Sequence, residues 1–277
     1  MTDIQRPKLW TVIFSLVSLA YIYPIVLVFI NSFKGEVYIS DDPFSLPSAE
    51  TFVGFDNYLR GIAKSGFFPA FGWSLVITLG ATALILLCTS MAAWWIVRVN
   101  SRYAKILLAT FMLNLIVPFQ MVMFTLSWIT DRLGLNTPWG LWIIYLGFGA
   151  GLAVFIFTGF VKGIPVELDE AALIDGCGPV RTFFMVIVPV MKPSMVTVAI
   201  LEVMWLWNDY LLPYLSLDRT KYSTLPIAVQ YLKGGYGAVD MGAMMGVLVL
   251  AMIPVIIFYL TSQKHIIRGV VAGAVKG

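Results

Sequence analysis

Only 12% of the 277 residues are charged, there is a single histidine, and there are just two cysteines. Soluble domains carry about a quarter charged residues, so a composition this poor in charge excludes an ordinary water-soluble fold. The one histidine, His265, sits just after the last apolar run, where it reads as an interfacial residue rather than a catalyst. Cys88 lies inside an apolar run and Cys177 in a polar loop, which argues against a disulfide and offers no metal spacing. No G-x-x-x-x-G-K-[ST] stretch occurs, so the chain has no phosphate-cradling loop of its own. The net charge of +3 forms neither a basic nucleic-acid stripe nor an acidic tail.

What the sequence does contain is hydrophobic length, with 60% apolar residues. A bilayer core of ~30 Å needs about 20 apolar helical residues. Six runs meet this: 9–30, 71–97, 106–128, 139–161, 194–217 and 243–262. The reading is therefore an all-α polytopic membrane protein: one transmembrane domain over 1–277, with a core unit at 71–262. Trp10, Trp73, Trp128 and Trp139 stand near run ends, where indole rings favour the headgroup layer. The first run is too long for a signal-peptide core and is expected to stay in place.

Six spans put both termini on one side. Eleven of the eighteen Lys and Arg fall on the terminal side, including Arg98, Arg102 and Lys105 in one short loop without an acid. The positive-inside rule then makes both termini cytoplasmic. On that side lies the 162–193 loop, with Pro165, then Glu167, Asp169 and Glu170, then Gly176. Proline suits a first helical turn, carboxylates suit the positive helix end, and glycine supplies a left-handed stop. This predicts a short, stiff helix with Glu167, Glu170 and Ile174 on one face, and Ala171 and Ala172 small enough for close approach. A second helix is expected from Pro179, ended by Pro189 and Pro193. The short helix either docks on a protein or rests on headgroups; its acids suit an anionic leaflet poorly.

Inside the fifth run, Glu202 and Asp209 are seven residues apart and share a helical face with Trp205 nearby and Asn208 adjacent. Charges at bilayer depth face a cavity or a partner. The stripe offers hydroxyl partners and an aromatic surface for a sugar, or it pairs with another span and holds the bundle. Gly147 with Gly151, and Gly242 with Gly246, have spacing that permits close helix contact.

The run Glu170-Ala171-Ala172 with Asp175-Gly176, then Ile187, Pro189 and Pro193, resembles the EAA loop of binding-protein-dependent ABC importer permeases. Further pieces resemble the smaller six-span subunit of the maltose-type carbohydrate group. They are Pro24, Ser32-Phe33-Lys34, Asn57-Tyr58, Pro118 with Gln120, Gly134-Leu135-Asn136-Thr137, Trp207-Asn208-Asp209, Thr224-Leu225-Pro226, and the ending from Arg268-Gly269 to Gly277. Trp73 before Ser74, and Cys177 after Gly176, depart from the usual Asn and Ala.

The resemblance implies a permease subunit of a bacterial inner-membrane sugar importer, with no catalytic or metal residues. Its coupling residues would be Glu167, Glu170, Ala171, Ala172, Asp175 and Gly176. It implies a second permease subunit, a cytoplasmic ATPase dimer holding ATP and Mg, and an extracytoplasmic solute-binding protein. It also implies that the 263–277 tail reaches the ATPase, against the alternative of a basic anchor to lipid. The competing class is a secondary solute transporter, for which Glu202 and Asp209 would be ion-coupling charges.

Overall fold

In the computed structural model, residues 8–232 and 239–274 are described, with side chains from 10 to 232 and from 239 to 264. Arg6, Lys233 and Lys276, counted for orientation above, lie outside the described residues, as does part of the expected tail contact of 263–277. The described residues are helical apart from turns and one isolated bridge. The helices are α1 Lys8–Asn31, α2 Glu36–Asp41, α3 Asp56–Ser65, α4 Phe67–Val99, α5 Arg102–Ile116, α6 Phe119–Arg132 and α7 Pro138–Val161. Then come α8 Glu167–Ile174, α9 Pro179–Thr182, a π-helical segment Phe183–Ile187, α10 Val188–Asn208, α11 Leu211–Ser216, α12 Leu225–Tyr231 and α13 Met241–Ala274.

Among the described residues, five helical stretches are long and apolar enough to cross a membrane, or six if the pair α5 and α6 forms one span. That pair corrects the reading of 106–128 as one continuous helix, because it bends by 105° at Val117 and Pro118. Proline has no N–H for the helical ladder and pushes the preceding residue into extended backbone. Val117 is accordingly extended, at ψ 111°. The Asn114 amide bonds the Gly147 carbonyl at 2.6 Å, fixing α5 to α7 just before the break.

The fifth span also differs from the 194–217 reading. It starts earlier, running from Pro179 to Asn208, and Pro189 and Pro193 do not end it. Pro189 is the second residue of α10, just after the π segment, whose wider winding already interrupts the i−4 ladder. Pro193 lies inside α10 and leaves the Pro189 carbonyl without its ladder N–H. A single missing ladder bond of this kind is tolerated in long membrane helices. At the other end the helix stops at Asp209, whose backbone is extended.

The chain divides into two compact units. The first comprises residues 1–69 and 228–255. Its centre is a knot built from the Ser32-Phe33-Lys34 and Asn57-Tyr58 pieces. The Asn57 amide donates to the carbonyls of Ser32 and Lys34 at 2.9 and 2.8 Å. The Tyr58 and Ser32 hydroxyls lie 2.6 Å apart, and Phe33 packs on Phe29, Phe52, Phe55 and Tyr58. Lys34 is fully buried, its ammonium donating to the Asp42 carbonyl at 2.8 Å and the Ser45 hydroxyl at 3.1 Å.

Here α3 packs on the start of α13 with nearly bare backbone. A Cβ on Gly61 would come within 2.7 Å of the Ala243 carbonyl oxygen, and one on Gly246 within 3.1 Å of the Asn57 backbone. One on Gly242 would collide with the Asn57 side chain. The Gly242 and Gly246 spacing is thus a close helix contact. Gly147 is different: a Cβ there would meet open space.

The second unit comprises residues 70–227 and 256–277. Its core gathers Ile77, Ile85, Leu141, Tyr145, Phe157, Phe183, Ile187 and Met191 from α4, α7, the π segment and α10. Ser101 and Thr137 cap α5 and α7, their hydroxyls accepting the N–H of Ala104 and Gly140. The Ser74 hydroxyl accepts the Leu225 N–H at 2.8 Å, and Trp73 meets Tyr222 edge to face at 4.9 Å.

Candidate functional site

The 162–193 loop forms the predicted helix as α8, with Pro165 just ahead of it rather than in its first turn. Its end is a complete left-handed stop. Gly176 has φ +76°, its N–H bonds the Leu173 carbonyl at 3.0 Å, and the Cys177 N–H bonds the Ala172 carbonyl at 2.9 Å. This pair of bonds satisfies carbonyls that a helix end otherwise leaves open. Glu167, Glu170, Ala171, Asp175 and Gly176 are all exposed. Ala172 is the exception: it is buried within the chain, so its small side chain serves packing under α8 rather than approach from outside. Beside the acids, Leu173 and Ile174 are 71% and 86% exposed, and Val166, Val180, Phe184 and Met185 are exposed as well. The outer surface is therefore acidic and apolar together.

Asp169 is the residue that sequence reasoning missed. One of its oxygens accepts the Trp94 indole N–H at 2.8 Å. The other faces Arg98, with Nε at 2.9 Å and Nη2 at 2.8 Å. Arg98 Nη2 also donates to the Ile164 carbonyl at 3.1 Å, just ahead of α8. Trp94 and Arg98 stand four apart on one face of α4. That spacing at a run end, opposite an acid-rich loop, was the available signal. It does not say which of three acids answers it.

The second set lies on α10 and α7. Asp209 accepts the Tyr145 hydroxyl at 2.9 Å and, through its other oxygen, the N–H groups of Leu211 and Leu212 at 3.0 and 3.4 Å. It thereby starts α11. Trp205 meets Tyr145 edge to face at 5.5 Å and is 41% exposed, and Asn208 is exposed. Glu202 stands apart from these three. It is 2% exposed and packed against Gly149 and Ile85, with one oxygen lacking a hydrogen-bond partner among the described residues. The structure brings Trp205 and Asp209 together around Tyr145, but Glu202 points into the core.

Compared with known proteins, residues 85–272 match the family of binding-protein-dependent transport system inner membrane components. The chain belongs to that family. This inner membrane component is 38% identical over 259 residues to the probable starch degradation products transport system permease protein AmyC of Thermoanaerobacterium thermosulfurigenes, covering 94% of this chain and 93% of that one. It is 35% identical to the multiple sugar-binding transport system permease protein MsmG of Streptococcus mutans, covering 91% of each chain. It is 33% identical to the trehalose transport system permease protein SugB of Mycobacterium tuberculosis, covering 99% of each.

The fold is that of a chain in a bacterial ABC transporter involved in import of the acidic polysaccharide alginate. The TM-score is 0.77 at 20% identity, over 93% of this chain and 95% of that one. A second structure of an alginate ABC transporter, in complex with an alginate pentasaccharide-bound periplasmic protein, matches at TM-score 0.58 and 14% identity, over 96% and 94%. This chain is accordingly a multi-pass membrane permease component.

Proposed function

We propose that this chain forms half of the translocation pathway of an ATP-driven oligosaccharide importer, beside a second permease subunit, and that α8 seats it on a cytoplasmic ATPase dimer. The observation that carries this reading is α8 itself: a short, rigidly stopped helix with an acidic and apolar outer face. The apolar residues Leu173 and Ile174 are too exposed for a solvated loop, and the neighbouring carboxylates suit a basic protein cleft better than an anionic leaflet. Both termini are then cytoplasmic, as the basic-residue asymmetry indicates. ATP and Mg belong to the partner ATPase. Closure of that dimer pushes α8 and reorients the spans, and an extracytoplasmic binding protein delivers the sugar. The tail at 263–277 reaches toward the ATPase.

The relatives' names supply the substrate class, and Trp205, Asn208 and Asp209 supply fitting chemistry: an indole face, an amide and a carboxylate. Glu202 enters as a support of the neighbouring helix contacts.

The test is uptake into proteoliposomes containing the reconstituted complex, with labelled maltooligosaccharides and trehalose as probes. Uptake that needs ATP, the ATPase and the binding protein together supports the reading. Uptake driven by an ion gradient without ATP would make the chain a secondary transporter instead.

A further inference from the structure

The exposed face of α8 explains how a partner could push it, but not where the push goes. Three contacts converge on one patch of α4. Trp94 and Arg98 together hold both oxygens of Asp169, and the same guanidinium holds the Ile164 carbonyl ahead of the helix. The Arg98 and Asp169 side chains are only 18% and 17% exposed, unlike a solvated surface pair. The ring of Trp94 also packs on Phe183 at 5.6 Å, in the π segment that leads into α10. One indole therefore touches the docking helix through its N–H and the start of the fifth span through its ring. The helix that carries it, α4, is a single run of 33 residues, or about 50 Å at 1.5 Å per residue.

We infer that Asp169, Trp94 and Arg98 form the linkage that passes movement of α8 to α4 and α10, so that Asp169 is a positioning residue for energy coupling. The inference rests on the transport reading above but adds a distinct claim. Losing the clamp leaves α8 able to dock, because its outward residues are untouched. Docking then no longer drags the spans. A merely structural clamp would lower complex yield or total activity, whereas a linkage lowers transport per ATP.

The experiment compares Asp169→Ala, Asp169→Asn, Arg98→Lys and wild type in the complete complex, using labelled maltooligosaccharides and trehalose. Uptake and ATP hydrolysis are read side by side, together with amide hydrogen exchange of residues 167–177. In Asp169→Ala, exchange should accelerate and ATP hydrolysis persist, while uptake per ATP falls about fivefold or more, the lower end of a typical intersite coupling. Asp169→Asn should fall between Ala and wild type, because its carbonyl oxygen still accepts the Trp94 N–H. Arg98→Lys keeps the cation but loses the planar fork, and should fall with it. Unchanged uptake per ATP in Asp169→Ala, or uptake and hydrolysis declining in equal proportion, overturns the linkage. Failure of ATP-driven uptake in the wild type would instead sink the transport reading, and the exchange rates would still report whether the clamp holds α8.

Discussion

Gly176 offers a test of the role proposed for α8 in which sterics play no part. A Cβ built there meets no atom within 4 Å, so substitution introduces no clash. What it meets is the backbone, held at φ +76° by the two bonds that close α8. For an L-residue the left-handed conformation costs about 1–2 kcal/mol, and more with a branched Cβ. A shift of that size changes the ratio of correct to alternative turn conformers by about 5–30-fold. Asn tolerates the conformation better than Ala does. ATP-dependent uptake should therefore decline in the order Gly, Asn, Ala, Val, with Gly176→Ala down by roughly fivefold or more on the same conformational estimate. Membrane accumulation of the subunit should stay normal throughout, since the turn carries none of the membrane-crossing helices. The assay is initial uptake normalised to subunit content. Wild-type uptake by Gly176→Val would refute the claim that this stop fixes the helix for docking.

Three further outcomes follow from the geometry. A cysteine at position 46 or 219 should react with an impermeant maleimide from outside, and one at 170 should not; external labelling at 170 would overturn the orientation. Asp240 caps α13 through the Ala243 N–H at 2.9 Å and pairs with Lys64 at 2.6 Å. Burial raises its pKa, but Lys64, that N–H and Arg60 outweigh the burial and leave it below the usual aspartate value. Its stabilising contribution is therefore complete above the unfolded value of about 3.9 and lost as pH falls through the folded one. Acid melting below about pH 4 should lose this component in Asp240→Asn, as followed by detergent-phase thermal melts. Finally, Tyr145→Phe deletes the bond to Asp209 and leaves a carboxylate oxygen with one partner fewer. It should cost about 1–3 kcal/mol, measured by the same melts, with little change if the bond is idle.

The helical class and the short helix α8 were legible because each is written locally. Hydrophobic length marks the spans, and Pro165, the acids and Gly176 mark α8. The bend at Val117 and Pro118 was less legible, because counting apolar residues ignores that Pro118 lacks an N–H. The opposite error occurred at Pro189 and Pro193, taken as stops. Both stand in a long apolar helix that continues out of a π segment, so one lost ladder bond at each does not end it. The Asp169 clamp was hidden for a different reason. Its partners lie 71 to 75 residues away, and three nearby acids satisfy any local rule equally well. Glu202 and Asp209 show the limit of face arguments: seven residues apart, one turns into the core and the other sets the start of α11.

The first span stands alone in one respect. None of the most apolar stretch within Trp10–Asn31 is buried against the rest of the chain. A helix whose apolar stretch leans on none of its own protein can enter the bilayer without waiting for the later spans to pack against it. Its grip on the membrane comes from lipid or from another subunit, so its sequence answers to apolar length and not to internal shape. Replacing it with an unrelated stretch of equal length and apolarity, with the junction at Asn31 preserved, should leave the folding of the remaining helices intact. It works as a tether, able to hold the chain at the membrane while the other spans find their partners.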